Sequence, residues 1–208
     1  MNIKEHIAKR VSKELHEGDV VNLGIGIPTL VTNFIDTSKI FIHSENGILG
    51  VGKSPSKGEI DMNVVNAGKK PVTIVNGASF FDSSFSFSMI RGGHIDVSVL
   101  GVIQVSGEGL IANWAMPGKA VLGVGGAMDL LEGSKKIIVA TTHTTKDGKP
   151  KIVNKLRYPQ TSLRKIDMIV TELATFSFDE DGIYLKEIDK NSSLEEVVKK
   201  TGVKFRVK

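Results

Sequence analysis

Short apolar segments, each ending in a glycine-rich or polar turn, recur along the chain and alternate with helix-like segments. The apolar segments are residues 20–23, 40–42, 72–75, 95–100, 136–140 and 166–170. Runs of this length and composition are typical of buried strands. Strands that alternate with helices favour a parallel sheet covered by helices. We therefore predict an α/β fold with a largely parallel sheet flanked by helices. Its ligands are expected at the carboxyl ends of the strands.

The predicted helices have recognisable starts and ends. In the first, apolar residues recur every four positions from Ile3 to Leu15, Asn2 and Glu5 form a capping box, and Gly18 is the expected end. Further helices are predicted at residues 30–34, 82–90, 127–131 and 193–202. Residues 50–70 are rich in Gly, Pro, Ser and charge and predict a long surface loop, and residues 183–188 predict an outer strand.

The chain of 208 residues has no internal repeat and no evident linker, so we expect a single domain over residues 1–208. No apolar run approaches the ~18 residues that cross a bilayer, and the charged N-terminus lacks a signal-peptide core. A cytoplasmic protein with no membrane partner is expected. Basic residues are spread out, which does not indicate nucleic-acid binding. The absence of cysteine excludes thiolate metal sites and cysteine nucleophiles, and no metal site is expected.

Gly24, Gly26 and Glu45 allow two interpretations. The glycines after a predicted strand, with an acid about 20 residues later, partly match a dinucleotide-binding fingerprint. However, Thr29 stands where the third glycine belongs, and Pro28 removes a backbone N–H from the turn. Alternatively, Glu45 is a nucleophile. A carboxylate is ionised near neutrality and needs no base, but its reaction with a thioester needs hydrogen-bond donors for the oxyanion.

A family resemblance bears on this choice. The sequence Ser44-Glu45-Asn46-Gly47 resembles the S-E-N-G motif of family I CoA-transferases. Other segments resemble that family in the right order: residues 21–28, 89–96, 112–114, 117–119, 125–130 and 143–148. The chain is most similar to the B (beta) subunit of the acetoacetate or 3-oxoacid CoA-transferases. Their α/β fold is shared with ribose-5-phosphate isomerase and glucosamine-phosphate isomerase.

The resemblance implies a mechanism and a set of site residues. Glu45 would be the catalytic residue, which forms an acyl anhydride and then a glutamyl-CoA thioester in ping-pong chemistry. Lys146 would contact CoA, which is a substrate and transient covalent adduct, so no resident cofactor is implied. The oxyanion-stabilising and substrate-binding residues implied are Gly24, Ile25, Gly26, Asn46, Gly125 and Gly126.

The resemblance also implies partners. These are an alpha (A) subunit, in a complex expected to be a heterotetramer, with an acyl-CoA and a short-chain carboxylic or 3-oxo acid as substrates. Two apolar segments would help to form the subunit interface: residues 25–30 and a phenylalanine-rich run made of Phe80, Phe81, Phe85 and Phe87. The sequence departs from the family at Thr142, where the family has Glu, and at residues 157–160. The alternative function is a non-catalytic or sugar-phosphate-binding module of the same fold.

Overall fold

The structure, a computed structural model, describes residues 1–116, 118, 123 and 125–208. Its helices are α1 (Ile3–Ser12), a 3₁₀-helix (Pro28–Phe34), α2 (Ser83–Arg91), α3 (Ala127–Gly133) and α4 (Leu194–Lys200). Its strands are β1 (Val20–Leu23), β2 (Phe41–Ser44), β3 (Ile48–Val51), β4 (Ile74–Phe80), β5 (Ile95–Leu100), β6 (Gln104–Ser106), β7 (Ile111–Ala112), β8 (Ser134–Ala140), β9 (Ile152–Val153), β10 (Met168–Val170), β11 (Ala174–Asp179), β12 (Gly182–Ile188) and β13 (Arg206–Val207). No helix among these described residues has the length and apolar character needed to cross a membrane.

Ten of the strands form one sheet, in the order β13-β12-β11-β10-β8-β5-β1-β2-β3-β4. The five central strands, from β10 to β2, are parallel, while β3, β4, β11 and β12 add to them in antiparallel pairs. The predicted α/β fold with a largely parallel centre is confirmed. In the sheet, β2 pairs with one edge of β1, and β5, which comes later in the chain, pairs with the other edge. The loops after β1 and β5 therefore diverge, which opens a crevice at the carboxyl end of the sheet.

Both faces of the sheet are buried. On β8, Ile138 and Ala140 face a core layer that includes α1, whereas Ile137 and Val139 face a layer that includes α2, α3 and α4. Successive residues of a strand point to opposite faces, so a strand that is apolar at every position fits only between two layers. This double burial explains why the central strands are continuous apolar runs. The smaller sheet, β7-β6-β9, lies beyond the carboxyl end of β5 in sequence.

The predicted helix starts are confirmed. Asn2 and Glu5 form a reciprocal capping box, and Asp82 and Ser193 accept hydrogen bonds from Phe85 and Glu196 backbone N–H groups. The predicted end of the first helix at Gly18 was wrong, because α1 ends at Ser12. Leu15 is nevertheless buried, so its place in the apolar periodicity reflects core packing outside the helix.

Three predictions about strands need correction. The predicted loop at residues 50–70 begins later, because β3 occupies Ile48–Val51. The strand predicted at residues 72–75 lies at Ile74–Phe80, so Asn76 and Gly77 are inside it. Gly77 has φ +84°, a conformation that an edge strand without a second neighbour tolerates. Finally, β11 was not predicted, although it pairs with both β10 and β12.

Candidate active site

The turn after β2 carries the Ser-Glu-Asn-Gly motif and closes a hairpin with β3. Gly47 has φ +115°, and its N–H donates to the Ser44 carbonyl at 2.9 Å. Its carbonyl accepts from the Phe81 N–H at 3.0 Å, and a Cβ at this position would overlap the Phe81 carbonyl oxygen. Only glycine fits both the backbone conformation and the space. The turn that presents Glu45 is therefore fixed by its glycine.

The Glu45 side chain reaches the amino end of α3. Gly126 is the N-cap residue of α3, and a Cβ on it would overlap Glu45 Oε2 and lie 3.2 Å from Phe87 Cζ. The half-buried carboxylate therefore lies against the Gly126 backbone and beside the Phe87 ring. A side chain at residue 126 would displace it. Gly125, with φ +56°, precedes this contact and turns the chain into the helix.

Three effects set the protonation of Glu45. Burial raises the pKa of its carboxyl group, a backbone hydrogen bond from Gly126 lowers it, and the charge of Asp129 raises it, with a net upward shift. Asp129 is itself paired with Arg91, Nε to Oδ1, at 2.7 Å. A carboxylate that is partly removed from water but held by an amide donor is suited to attack an electrophile.

The motif also fastens the loop at residues 52–73 over this part of the sheet. Ser44 Oγ donates to Asn46 Oδ1 at 2.7 Å and accepts from the Ala67 N–H at 3.0 Å. Asn46 Nδ2 donates to the Val65 carbonyl at 2.8 Å. The sequence predicted Asn46 as a substrate-binding residue, and the structure places both its polar atoms in this attachment. The same loop carries Lys69 at φ +59°, a strained conformation that recurs at functional sites.

The first glycine loop lies one strand away, since β1 is hydrogen-bonded beside β2. Its Gly24 N–H donates to the Val99 carbonyl at 2.8 Å, and a Cβ on Gly24 would come within 3.1 Å of that oxygen. Gly26 has φ +103°, and Ile25 is 66% exposed. The structure thus brings Gly126 to Glu45 directly. Gly24, Ile25 and Gly26 share the carboxyl edge of the sheet with it.

A buried polar network packs behind the turn that carries Glu45. His43, which is 1% exposed, accepts at Nδ1 from Asn22 Nδ2 at 3.0 Å, and its Nε2 lies 2.9 Å from Ser86 Oγ. Burial lowers the pKa of His43 to about 4, so its ring is neutral at physiological pH. Because Nδ1 accepts, the proton lies on Nε2 and is donated to Ser86. This network connects β1, β2 and α2 directly behind Ser44.

A cavity of about 1220 Å³ opens at the same edge of the sheet. It is lined by residues that follow β1, β5 and β8, among them Ile27, Ile103 and Thr142. Lys146, the predicted CoA contact, is an exposed residue of its wall. We call this cavity the basic groove. Of the segments that carry the family resemblance, Pro117 and Lys119 lie outside the described residues.

Comparison with known proteins decides the family. The sequence profile described as "Coenzyme A transferase" matches residues 4–200. The chain belongs to the coenzyme A transferase family. It is 46% identical over 206 residues to the B-type subunit of the succinyl-CoA:3-ketoacid coenzyme A transferase of Helicobacter pylori (strain ATCC 700392 / 26695), covering 99% of this chain and 100% of that protein. It is 49% identical over 208 residues to the beta subunit of the acetate CoA-transferase of Haemophilus influenzae, covering 100% of this chain and 93% of that protein.

The fold comparison agrees with this membership. The crystal structure of an acyl-CoA transferase apoenzyme from Escherichia coli O157:H7 superposes with a TM-score of 0.80 at 24% identity, covering 100% of this chain and 42% of that chain. The chain is thus a CoA-transferase of the beta-subunit type with the fold of that family. Membership in an enzyme family argues against the sugar-phosphate or non-catalytic module considered from the sequence.

Proposed function

We propose that the chain transfers CoA between an acyl-CoA and a free short-chain carboxylic or 3-oxo acid, with Glu45 as the nucleophile. The observation that carries the proposal is the half-buried Glu45 carboxylate held against the Gly126 backbone at the start of α3. This is the one carboxylate of the Ser-Glu-Asn-Gly turn, and it lies at the crevice edge where α/β sheets bind ligands.

The reaction proceeds in two symmetric halves. A Glu45 carboxylate oxygen attacks the thioester carbonyl carbon, the C–S bond breaks, and an anhydride and CoA thiolate form. The thiolate then attacks the Glu45 carbonyl carbon, which releases the donor acid and leaves a glutamyl-CoA thioester. The acceptor carboxylate attacks the Glu45 carbonyl carbon of that thioester, which breaks the C–S bond, releases CoA thiolate and forms a second anhydride. The thiolate then attacks the acceptor's carbonyl carbon in this anhydride, which forms the new acyl-CoA and releases the Glu45 carboxylate. No proton is gained or lost, so ping-pong kinetics without a general base are expected.

Backbone amides stabilise the charge that develops in this sequence. When the Glu45 carbonyl carbon is attacked, its oxygen becomes an oxyanion, and the Gly126 N–H is the nearest donor the geometry supplies. The amides of Gly125, Ile25 and Gly26 are further candidate donors on the same edge of the sheet, whereas the Gly24 N–H already donates to the Val99 carbonyl. Phe87 beside the carboxylate limits access of water, which would hydrolyse the anhydride.

The substrates and partner follow from the relatives. Two relatives are named for acetate and for succinyl-CoA with 3-ketoacids, so a short-chain or 3-oxo acid is the proposed acceptor. Both are named as the B or beta subunit of their enzymes. We therefore infer an alpha subunit as partner, in a heterotetramer with two copies of each chain. Lys146 is the proposed contact for CoA from the wall of the basic groove.

Substitution of the nucleophile tests the proposal. Glu45→Gln keeps the size of the side chain but removes the nucleophilic charge, so transfer by the complex with its partner should fall by at least ~10³-fold. CoA binding should persist. The control is Glu17→Gln, which changes an exposed carboxylate before β1 and should leave kcat and KM unchanged. Transfer by Glu45→Gln at more than a trace of the wild-type rate would refute the assignment.

A further inference from the structure

An ion pair between Arg91 and Asp129 joins the two helices that lie beside Glu45. Arg91 is the last residue of α2, and its Nε donates to Asp129 Oδ1 at 2.7 Å. Asp129 lies in the first turn of α3, three residues after Gly126, whose backbone contacts the Glu45 carboxylate. In the described part of the chain, Arg91 is the one cation within 4 Å of the Asp129 carboxylate. The proposed reaction has so far assigned no role to Arg91.

The pair is one of two contacts that hold α3 against α2. At the other end of α3, a Cβ on Gly133 would overlap the Ile90 carbonyl oxygen, so the two backbones touch there. Next to the pair, Leu130 is buried in the core, whereas Arg91 is exposed and Asp129 is half-buried. The end of α3 is therefore fixed by backbone packing, and the ion pair ties its first turn to α2.

The Phe87 ring connects the same cation to the nucleophile. The guanidinium of Arg91 lies over this ring, with Cζ 5.7 Å from the ring centroid. A Cβ on Gly126 would lie 3.2 Å from Phe87 Cζ and would overlap Glu45 Oε2. Because the face of an aromatic ring attracts a cation, Phe87 and Asp129 together hold the guanidinium in place. Arg91 is thus one residue removed from the Glu45 carboxylate.

The charge of this cation bears on the reacting group. Asp129 and Glu45 are both carboxylates, and the charge of Asp129 raises the pKa of Glu45. A paired guanidinium offsets part of that repulsion, both for the Glu45 carboxylate and for the oxyanion that forms from it. The other titratable side chains on β2, on α2 and its cap, on α3 and on the attached stretch 65–70 are His43, Asp82, Glu132, Lys69 and Lys70.

We propose that Arg91 is a positioning residue for CoA transfer, which acts through Asp129: it ties the first turn of α3 to α2 and offsets the negative charge beside Glu45. This inference rests on the proposed function, in which Glu45 is the nucleophile. Arg91 reaches Glu45 only through Asp129 and Phe87, so its effect should appear in the chemical step and its pH dependence rather than in substrate binding.

The test begins with two substitutions in the complex with its partner subunit. Arg91→Met removes the charge, so kcat should fall by about tenfold, with KM for the acyl-CoA changed by less than about twofold. The acid limb of kcat/KM should move to higher pH, because Asp129 without its counter-ion raises the pKa of Glu45 further. Arg91→Lys keeps a cation that can pair with Asp129 and should restore both kcat and the position of the limb.

A double-mutant cycle shows whether Arg91 acts through Asp129. Asp129→Asn keeps an acceptor for Arg91 but has no charge, so in this background Arg91→Met should leave the acid limb where it is. Equal shifts of the limb in both backgrounds would overturn the proposal, because Arg91 would then act independently of Asp129. If Arg91→Met does not assemble, Arg91→Gln removes the charge while keeping a donor, and it should shift the limb in the same direction.

The matched control is Lys135→Met. Lys135 pairs with Asp96 at 2.7 Å, and the side chains of this pair are 65% and 29% exposed, against 67% and 26% for Arg91 and Asp129. It lies at the start of β8, away from Glu45, so kcat and the acid limb should stay unchanged. Arg91→Met with a lower melting temperature as its only effect would overturn the positioning role while the proposed function stands. Transfer by Glu45→Gln at the wild-type rate would instead overturn the proposed function.

Discussion

At the residue scale, the environment of Glu45 combines two opposing demands on a nucleophilic carboxylate. Burial raises the pKa of the carboxyl group and removes the water that would shield its charge, whereas the Gly126 hydrogen bond lowers the pKa and so favours the ionised form. The same N–H can donate to the carboxylate oxygen before reaction and to the oxyanion that forms when the Glu45 carbonyl carbon is attacked. One backbone group can thus stabilise both states.

The raised pKa of Glu45 predicts the acid limb of the pH–rate profile. Only the ionised form attacks, so kcat/KM for the acyl-CoA should fall as pH drops through the pKa of Glu45. Because burial raises that pKa, the limb should lie above the ~4.3 of an ordinary glutamate. The measurement is the pH dependence of kcat/KM for the wild-type complex and for a complex that carries Asp129→Asn. Removal of the Asp129 charge should shift the limb to lower pH, and an upward shift would contradict this electrostatic account.

The turn glycine predicts a separable effect on stability. Gly47→Ala has to adopt φ +115° and overlap the Phe81 carbonyl, so it should lower the free energy of unfolding by about 2–4 kcal/mol. Gly18→Ala is the matched control, because Gly18 has φ +91° but nothing within 4 Å of a Cβ. It should cost only about 1–2 kcal/mol. Denaturant unfolding of both variants measures the difference, and equal losses would show that the overlap is relieved without cost.

At the element scale, the sequence predicted those elements whose signals are local. The cap at Asp82 and the apolar run of β5 each specify their element without help from distant residues. In contrast, β3 is a short strand between Gly47 and Gly52, and its apolar run is interrupted by Gly50, so only its pairing with β2 and β4 reveals it. The Asn76-Gly77 pair is a turn signal in isolation, and in the structure it lies within an irregularity of the β3–β4 pairing, between the paired residues Ile74 and Ser79.

Two elements at one end of the sheet leave aromatic surface uncovered. Phe80, on edge strand β4, is 58% exposed, and Phe85, on α2, is 56% exposed. The other two members of the phenylalanine-rich run, Phe81 and Phe87, are partly buried. Half of the run therefore packs inside the chain, and the other half lies on its surface. An uncovered edge strand with exposed aromatic residues is a favourable contact surface for another chain.

This surface predicts how assembly responds to substitution. Phe85→Ser should weaken association with the alpha subunit by roughly tenfold or more, since a buried aromatic anchor contributes over 1 kcal/mol. Leu163→Ser is the control, because Leu163 is 84% exposed and lies outside the phenylalanine-rich run. Sedimentation of the mixed subunits over a concentration series measures the affinity. If Phe85→Ser left the affinity for the alpha subunit unchanged while Leu163→Ser lowered it, the interface would lie elsewhere on the chain.

At the scale of the whole molecule, the site is assembled from segments far apart in sequence. Glu45 and Gly126 were each singled out from the sequence, but the contact between them depends on the packing of α3 against α2 beside β2. Arg91 was not singled out as a site residue. In the sequence it is one member of the segment 89–96, and only its ion pair with Asp129 and its place over the Phe87 ring distinguish it. Local patterns thus identify reactive residues, while long-range packing decides their surroundings.

The covalent intermediate on Glu45 tests the central claim most directly. The complex is mixed with acyl-CoA in the absence of an acceptor acid, and the intact mass of each chain is measured. The account predicts that this chain gains the mass of CoA less one water, because a carboxylate oxygen leaves with the donor acid. Peptide mapping should place the addition on Glu45, and adding an acceptor acid should remove it. Glu45→Gln should show no added mass. A complex that transfers CoA with intersecting steady-state lines and never carries CoA on this chain would contradict the account.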